Sequence, residues 1–435
     1  MGKGSKKAVL AWAMYDWANS TFATTVMAGF FPIFFKQFWS AGTDTALSTA
    51  RLGLANSVAG ITVALAAPFL GAIADQGAAK KTFLFTFAAM GITATMSLFF
   101  VAKGQWLVAT MLYVFALMGF SCGNVFYDSL IKTVSDEPRM DSVSTLGYAL
   151  GYLGGGLLFA LNVFMVLRPS VFGMGHASQA VRLSFITVGI WWAVFAIPLA
   201  IFVHESRTGD NERSAQLVSK GFHQLCQTFS EVRKLKTISL FLIAYWLYID
   251  GVDTIIVMAV DYGLSLGFRQ EDLILALLLV QFVGFPCAIA FGRIADRIGT
   301  KPSILLGICV YLFVTVWGAL IRNRTEFYIM AVLIGLVQGG VQALSRSFFA
   351  KIIPQDKTAQ YFGFYNMLGK FAAIIGPLLV GTTVMLARSL GASPDLSPRI
   401  SISSIAILFI AGGMVLLFVD EEKGKQEAKD VSQLF

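Results

Sequence analysis

The sequence predicts an all-α integral membrane protein, with twelve transmembrane helices in two pseudo-symmetric six-helix bundles. Three observations predict it. First, 56% of the 435 residues are hydrophobic, 13% are charged and mean hydropathy is +0.71, which does not describe a soluble globular chain. Second, a bilayer core about 30 Å thick needs roughly 20 apolar residues per helix. The chain divides into about twelve runs of that length. Third, the stretch Gly292-Arg-Ile-Ala-Asp296-Arg297-Ile-Gly299-Thr-Lys301 has a degraded copy half a chain earlier, Gly71-Ala-Ile-Ala-Asp75-Gln76-Gly77-Ala-Ala-Lys80-Lys81. Each copy ends the second apolar run of its half and precedes the third.

The runs of the first half span residues 8–36, 52–75, 82–103, 106–132, 142–168 and 182–204. Those of the second half span 237–264, 273–296, 302–321, 326–350, 358–387 and 399–419. The expected organisation is a bundle over 1–204, a linker over 205–236, a second bundle over 237–420 and a tail over 421–435. The linker is rich in charge and reads as a short amphipathic helix near Phe222–Val232; the tail reads as solvated. Lys3, Lys6 and Lys7 before an apolar run resemble a signal peptide, but that run is too long for one and carries Asp16 and Asn19, so it reads as a retained first helix.

The halves echo each other beyond the repeated loop. Gly119-x-x-x-Gly123 in the fourth run matches Gly335-x-x-x-Gly339 in the tenth, and Gly147 in the fifth matches Gly363 in the eleventh. Basic residues concentrate in alternate loops, among them Lys80, Lys81, Arg139, Arg297, Lys301, Lys351 and Lys425. That bias is the positive-inside rule with both termini cytoplasmic. The net charge of +8 therefore reports topology, not a nucleic-acid partner. Cys122, Cys287 and Cys309 lie in apolar runs and Cys226 in the linker, with no C-x-x-C spacing, which argues against disulfides and metal ribbons. No cofactor is expected.

As a pattern, G-x-x-x-D-R-x-G-x-K resembles the signature of the major facilitator superfamily in the loop between its second and third helices and in the equivalent loop of its second half. The resemblance implies the major facilitator fold and a gating role for Gly71, Asp75, Gly292, Asp296, Arg297 and Gly299. The first copy departs from the pattern, with Gln76 where arginine is usual and one residue fewer before Gly77.

A charge at the bilayer centre costs about 2.5–3.5 kcal/mol on insertion scales, so each polar residue within a run is a functional candidate. The first run has Tyr15, Asp16 and Asn19; the fourth has Asn124, Tyr127, Asp128 and Lys132; the seventh has Asp250 and Asp253; the tenth has Gln338, Gln342 and Arg346; the eleventh adds Lys370. Gln338, Gln342 and Arg346 recur every fourth residue, as do Asn124, Asp128 and Lys132, so each trio forms one stripe along its helix. An alternative for Asp128 is a structural pair with Lys132 near the headgroups. Asp250 and Asp253 lie three apart on nearly one face, where two ionised carboxylates repel, so one holds a proton unless a cation sits beside it. Arg346, Lys370 or a substrate ammonium is the competing partner, and a fixed bridge between helices is the alternative.

The run from Trp12 to Thr25, with Tyr248-x-Asp250-Gly251-Val-x-Thr254 in the seventh helix, is similar to the vacuole-effluxer branch of that superfamily, whose fungal members release amino acids from the vacuole. The resemblance implies a secondary transporter working by alternating access on a small polar solute such as an amino acid, coupled to protons or another ion, and not an enzyme. Monomer is the default for the architecture. The absence of a targeting extension fits a bacterial inner membrane. A lipid or drug exporter of the same fold is an alternative. So is an intramembrane enzyme using paired aspartates, although His176, His204 and His223 all lie in loops or at run ends. A ligand-sensing receptor would need a folded soluble module that the linker and tail are too short to form.

Overall fold

The computed structural model describes residues 5–43, 45–76, 79–205, 235–393 and 396–433. The expected linker helix near Phe222–Val232, with Cys226, lies outside the described residues, as does Gly77. Among the described residues there is no strand, and twelve helices are long and apolar enough to cross a membrane. Where no water can satisfy backbone groups, a helix is the form that bonds every one of them internally. In chain order the spans are α1 (Lys6–Trp39), α2 (Thr45–Gln76), α3 (Lys80–Ser97), α4 (Trp106–Ser129), α5 (Met140–Leu167) and α6 (Ala177–Phe202). Then follow α7 (Lys236–Ser265), α8 (Gln270–Ile298), α9 (Thr300–Gly318), α10 (Arg324–Ile352), α11 (Thr358–Ser389) and α12 (Leu396–Leu417).

The chain divides into two compact units, and the division does not follow the midpoint of the sequence. Unit 1 gathers Met1–Asp136, Leu150–Phe222 and Ala359–Asn366; unit 2 gathers Glu137–Ala149, His223–Thr358 and Met367–Phe435. The start of α5 thus belongs to unit 2, and the first turns of α11 belong to unit 1.

Within unit 1, α3 and α4 touch backbone to backbone. A Cβ on Gly119 would lie 2.5 Å from Gly91 N, so no other residue fits that crossing. Aromatic rings fill the rest of the core: Trp12 stacks on Tyr127 at 4.5 Å, and Trp39 on Phe185 at 5.8 Å. Within unit 2, a Cβ on Gly412 of α12 would meet Tyr248 N of α7 at 2.8 Å, an equally close approach.

Each unit also ties two antiparallel helices end to end. In unit 1, Lys81 at the start of α3 donates to the last carbonyls of α6, Ala200 O at 2.8 Å and Val203 O at 2.5 Å. Arg182 of α6 returns the contact by donating to Phe99 O, 2.7 Å away beyond the end of α3. In unit 2, Lys301 of α9 donates to Leu417 O and Val419 O at 2.7 Å, and Arg399 of α12 donates to Ala319 O and Ile321 O. Helix C-termini carry unsatisfied carbonyls and partial negative charge, so a basic side chain there is bound twice over.

The expected solvated tail is not what the structure shows. Glu421–Gln433 form a thirteenth helix, α13, with Glu421 and Glu422 in its first turn and Asp420 accepting from Lys423 N. Acidic residues at a helix start complement its dipole, and Ala428 is buried.

Candidate functional site

In unit 1 the sequence-predicted polar residues of α1 and α4 meet. Tyr127 donates to Asp16 Oδ2 at 2.7 Å, Trp12 Nε1 donates to Tyr127 O at 2.9 Å, and Asn19 donates to Asn124 Oδ1 at 2.6 Å. Helical spacing puts Trp12, Asp16 and Asn19 on successive turns facing α4. Tyr15 and Asn19 are fully buried, whereas Asp16 and Asn124 keep partial exposure. The result is a carboxylate in an aromatic setting beside a carboxamide pair, suited to an ammonium or another hydrogen-bonding cation. Tyr127 is among the polar residues read in the fourth run, and here it is the partner of Asp16.

In unit 2 the aspartates of α7 take different partners. Asp250 is buried, and its Oδ1 accepts from Gly376 N at 2.9 Å and from Thr254 Oγ1 at 3.3 Å. Gly376 precedes Pro377, which has no N–H for the α11 ladder. The carboxylate therefore reads the backbone of α11 where that helix is weakest. Asp253 is half-buried, with Lys370 of α11 in electrostatic reach. Of the two side chains expected to compete for the pair, Arg346 and Lys370, Lys370 is the one beside it.

Arg346 goes elsewhere. It is buried at 2% exposure, donates from Nε to Ser144 Oγ and from a terminal nitrogen to Ser144 O, both at 2.9 Å, and lies 4.5 Å over the Tyr148 ring. Gln338 and Gln342, two turns and one turn earlier on α10, are half-buried. The stripe is real as a face, yet its charged end serves the start of α5.

That start of α5 is held by a network the sequence did not reveal. Asp141 Oδ2 accepts from Lys351 Nζ and Thr300 Oγ1, each at 2.7 Å, and its Oδ1 accepts from Ser347 Oγ at 2.6 Å. Ser144 donates to Ala343 O at 2.7 Å. Gly292, the first residue of the second signature, leaves room for Thr145 Oγ1, which an added Cβ would strike. Gly299 holds φ +93° between α8 and α9, a left-handed conformation that favours glycine. Asp296 and Arg297 are exposed, and neither makes a hydrogen bond or ion pair among the described residues.

The first signature is the better connected one, despite its departures from the pattern. Asp75 accepts from the first N–H groups of α11, Ala359 N at 3.1 Å and Gln360 N at 2.8 Å, and pairs with Lys80 at 2.8 Å. A carboxylate at a helix N-terminus meets both orphan donors and the positive dipole end. Gly71 packs against Ala359 O, and Gly363 against Ala67 O and Pro68. Asp128 accepts from Asn366 Nδ2 at 3.2 Å, also in the first turns of α11.

Twelve apolar spans, with polar residues buried within them and carboxylates at helix ends, describe a polytopic helical membrane protein, and solved structures share its fold. The human organic anion transporter MFSD10 superposes with a TM-score of 0.68 at 14% identity, over 94% of this chain and 99% of that one. The proton:xylose symporter XylE gives 0.68 at 13% identity, over 98% and 97%. The sequence profile described as Vacuole effluxer Atg22 like matches residues 48–429, and the chain belongs to that family. The MFS-type transporter YxiO of Bacillus subtilis is 37% identical over 425 residues, covering 97% of this chain and 96% of YxiO. Autophagy-related protein 22 of Coccidioides immitis is 23% identical over 550 residues, covering 99% and 89%. The protein is thus an integral membrane transporter and not an enzyme.

Proposed function

We propose that the protein moves a small zwitterionic solute, an amino acid, by alternating access, with proton coupling through Asp250 or Asp253. The observation that carries this reading is the bond from Gly376 N to Asp250. Ionised, Asp250 accepts charge-assisted bonds from Gly376 N and Thr254 Oγ1 on Oδ1; with a proton on Oδ2 the same oxygen accepts them only as weaker neutral bonds. Protonation would therefore loosen α7 from α11 at the Gly376-Pro377 step, which links a proton to helix movement. Asp253 and Lys370 are the charged neighbours whose balance decides which carboxylate titrates. Asp16, Tyr127, Asn19 and Asn124, with Tyr15 beside them, bind the solute's ammonium side in this reading, and Gln338 and Gln342 are polar candidates on α10.

The bias of basic loops supports an orientation with both termini cytoplasmic. Under that orientation Asp75 and Gly71 lock the cytoplasmic end in unit 1. In unit 2 the lock falls to Asp141, Arg346 and the second signature at Gly292 and Gly299, while Asp296 and Arg297 act in another conformation. The test is uptake of labelled amino acids by proteoliposomes with and without a pH gradient, beside Asp250→Asn. Gradient-dependent uptake that the variant loses supports the reading. If no amino acid moves under any gradient, the amino-acid assignment fails and lipid or drug export replaces it.

A further inference from the structure

The helix after the last span makes contacts that no solvated tail would need. Glu427 accepts from Thr237 N and from Thr237 Oγ1, both at 3.2 Å, and so caps the start of α7, the helix that carries Asp250 and Asp253. Lys425 Nζ lies 3.1 Å from Glu137, 3.2 Å from Glu421 and 2.8 Å from Glu422. Burial opposes the Lys425 ammonium, but those three carboxylates outweigh it and raise its pKa above the ordinary lysine value. Lys351, already bonded to Asp141, also faces Glu421 at 3.8 Å. Gly424 sits so tightly that a Cβ there would come within 2.9 Å of Ile352 and of Thr237. The helix is held by shape as well as by charge.

We propose that α13 is a clasp that controls release of the start of α5. Through Lys425 it grips Glu137, through Glu421 it supports the Lys351 to Asp141 bond, and through Glu427 it fixes the start of α7 to the same block. Undocking residues 137–149 then requires α13 to give way, so any agent that displaces α13 would favour opening of this end. The inference takes from the transport reading only that this end opens, and its test uses no substrate.

The test is hydrogen–deuterium exchange on the full-length protein in lipid nanodiscs, comparing wild type with Lys425→Glu, Glu427→Gln, a chain ending at Asp420, and the Lys425→Glu/Glu137→Lys double variant. Exchange over 137–149 should rise several-fold in the first three, with the first turn of α7 following in Glu427→Gln and the truncation. The first turns of α11, over 359–366, should stay at the wild-type rate, and the double variant should recover protection. Unchanged exchange over 137–149 in the truncated chain would overturn the proposal. So would an equal rise over 359–366, which marks general loosening, or a double variant no better protected than Lys425→Glu alone.

Discussion

The two helix starts that each unit takes in are held by opposite chemistry. In unit 1 the carboxylate, Asp75, sits at the end of α2 and receives bare backbone N–H groups of α11. In unit 2 the carboxylate, Asp141, is carried by the incoming helix itself and receives side-chain donors from α9 and α10. Backbone donors cannot rotate to a substitute, whereas hydroxyls and a lysine can. The difference teaches that the unit 1 contact is stiff and depends on one residue, while the unit 2 contact is distributed, and only the latter has a further helix reinforcing it.

The largest expected effect therefore belongs to Asp75. Its side chain is 1% exposed and that of its partner Lys80 is 12% exposed. Asp75→Ala breaks the pair with Lys80 and leaves two helix-start N–H groups without their acceptor, a loss of about 3 kcal/mol by the behaviour of broken buried pairs. Thermal unfolding in detergent should show a lower midpoint, and exchange over 359–366 should rise far more than over 137–149. Asp75→Asn keeps one acceptor oxygen and should fall between. An Asp75→Ala protein with wild-type exchange over 359–366 would remove the distinction between the two ends.

Asp141→Ala comes next, at about 2 kcal/mol, the scale of hydrogen bonds to a charged group. Ser347 also donates to Leu344 O, and Lys351 retains Glu421, so the donors left behind are not stranded. Exchange over 137–149 is the measurement. The comparison is sharpened if Asp141→Ala costs clearly less than Asp75→Ala, and it breaks if the order is reversed.

How much of this was legible in the sequence follows from where each signal lives. Twelve spans could be read because hydropathy acts locally, over one helix at a time. Gly71, Asp75 and Gly292 could be read because the repeat marks them. Asp141 and Lys351 could not: they lie 210 positions apart, and at a run end a residue that pairs across the fold looks like one that only sets topology. Arg346 was legible as a buried charge, but its destination at Ser144 depends on a helix packing that no local pattern encodes. The tail expected to be solvated is rich in charge, and what orders it is the close packing of Gly424 and Ala428 together with partners spread over Glu137, α7 and α10.

The paired glycines give a third, smaller contrast. An added methyl on Gly71 meets the backbone of Ala359 and Gln360, which cannot yield without moving α11; on Gly292 it meets the Thr145 side chain. Gly71→Ala should cost about 1–3 kcal/mol in thermal unfolding, the range for overpacking. Gly292→Ala should cost less and recover with Thr145→Ala added. Failure of that rescue would mean that the Gly292 contact is as rigid as its counterpart.

The smallest effect is expected where the units agree. Lys81 and Lys301 each donate to two terminal carbonyls of an antiparallel neighbour, and each is answered by an arginine, Arg182 or Arg399, at the far end of the same helix pair. Both lysines reach these carbonyls from partly exposed positions, so water replaces them well. Alanine at either should cost about 1 kcal/mol, the scale of a cation at a helix C-terminus. Because the two sites are built alike, the two losses should match within error in a thermal scan. The α3–α6 and α9–α12 pairs would then form an equivalent frame in both units, and the differences between the units would be confined to the starts of α5 and α11. A loss of several kcal/mol at Lys81 alone would place part of unit 1's rigidity in that frame and weaken the assignment of it to Asp75.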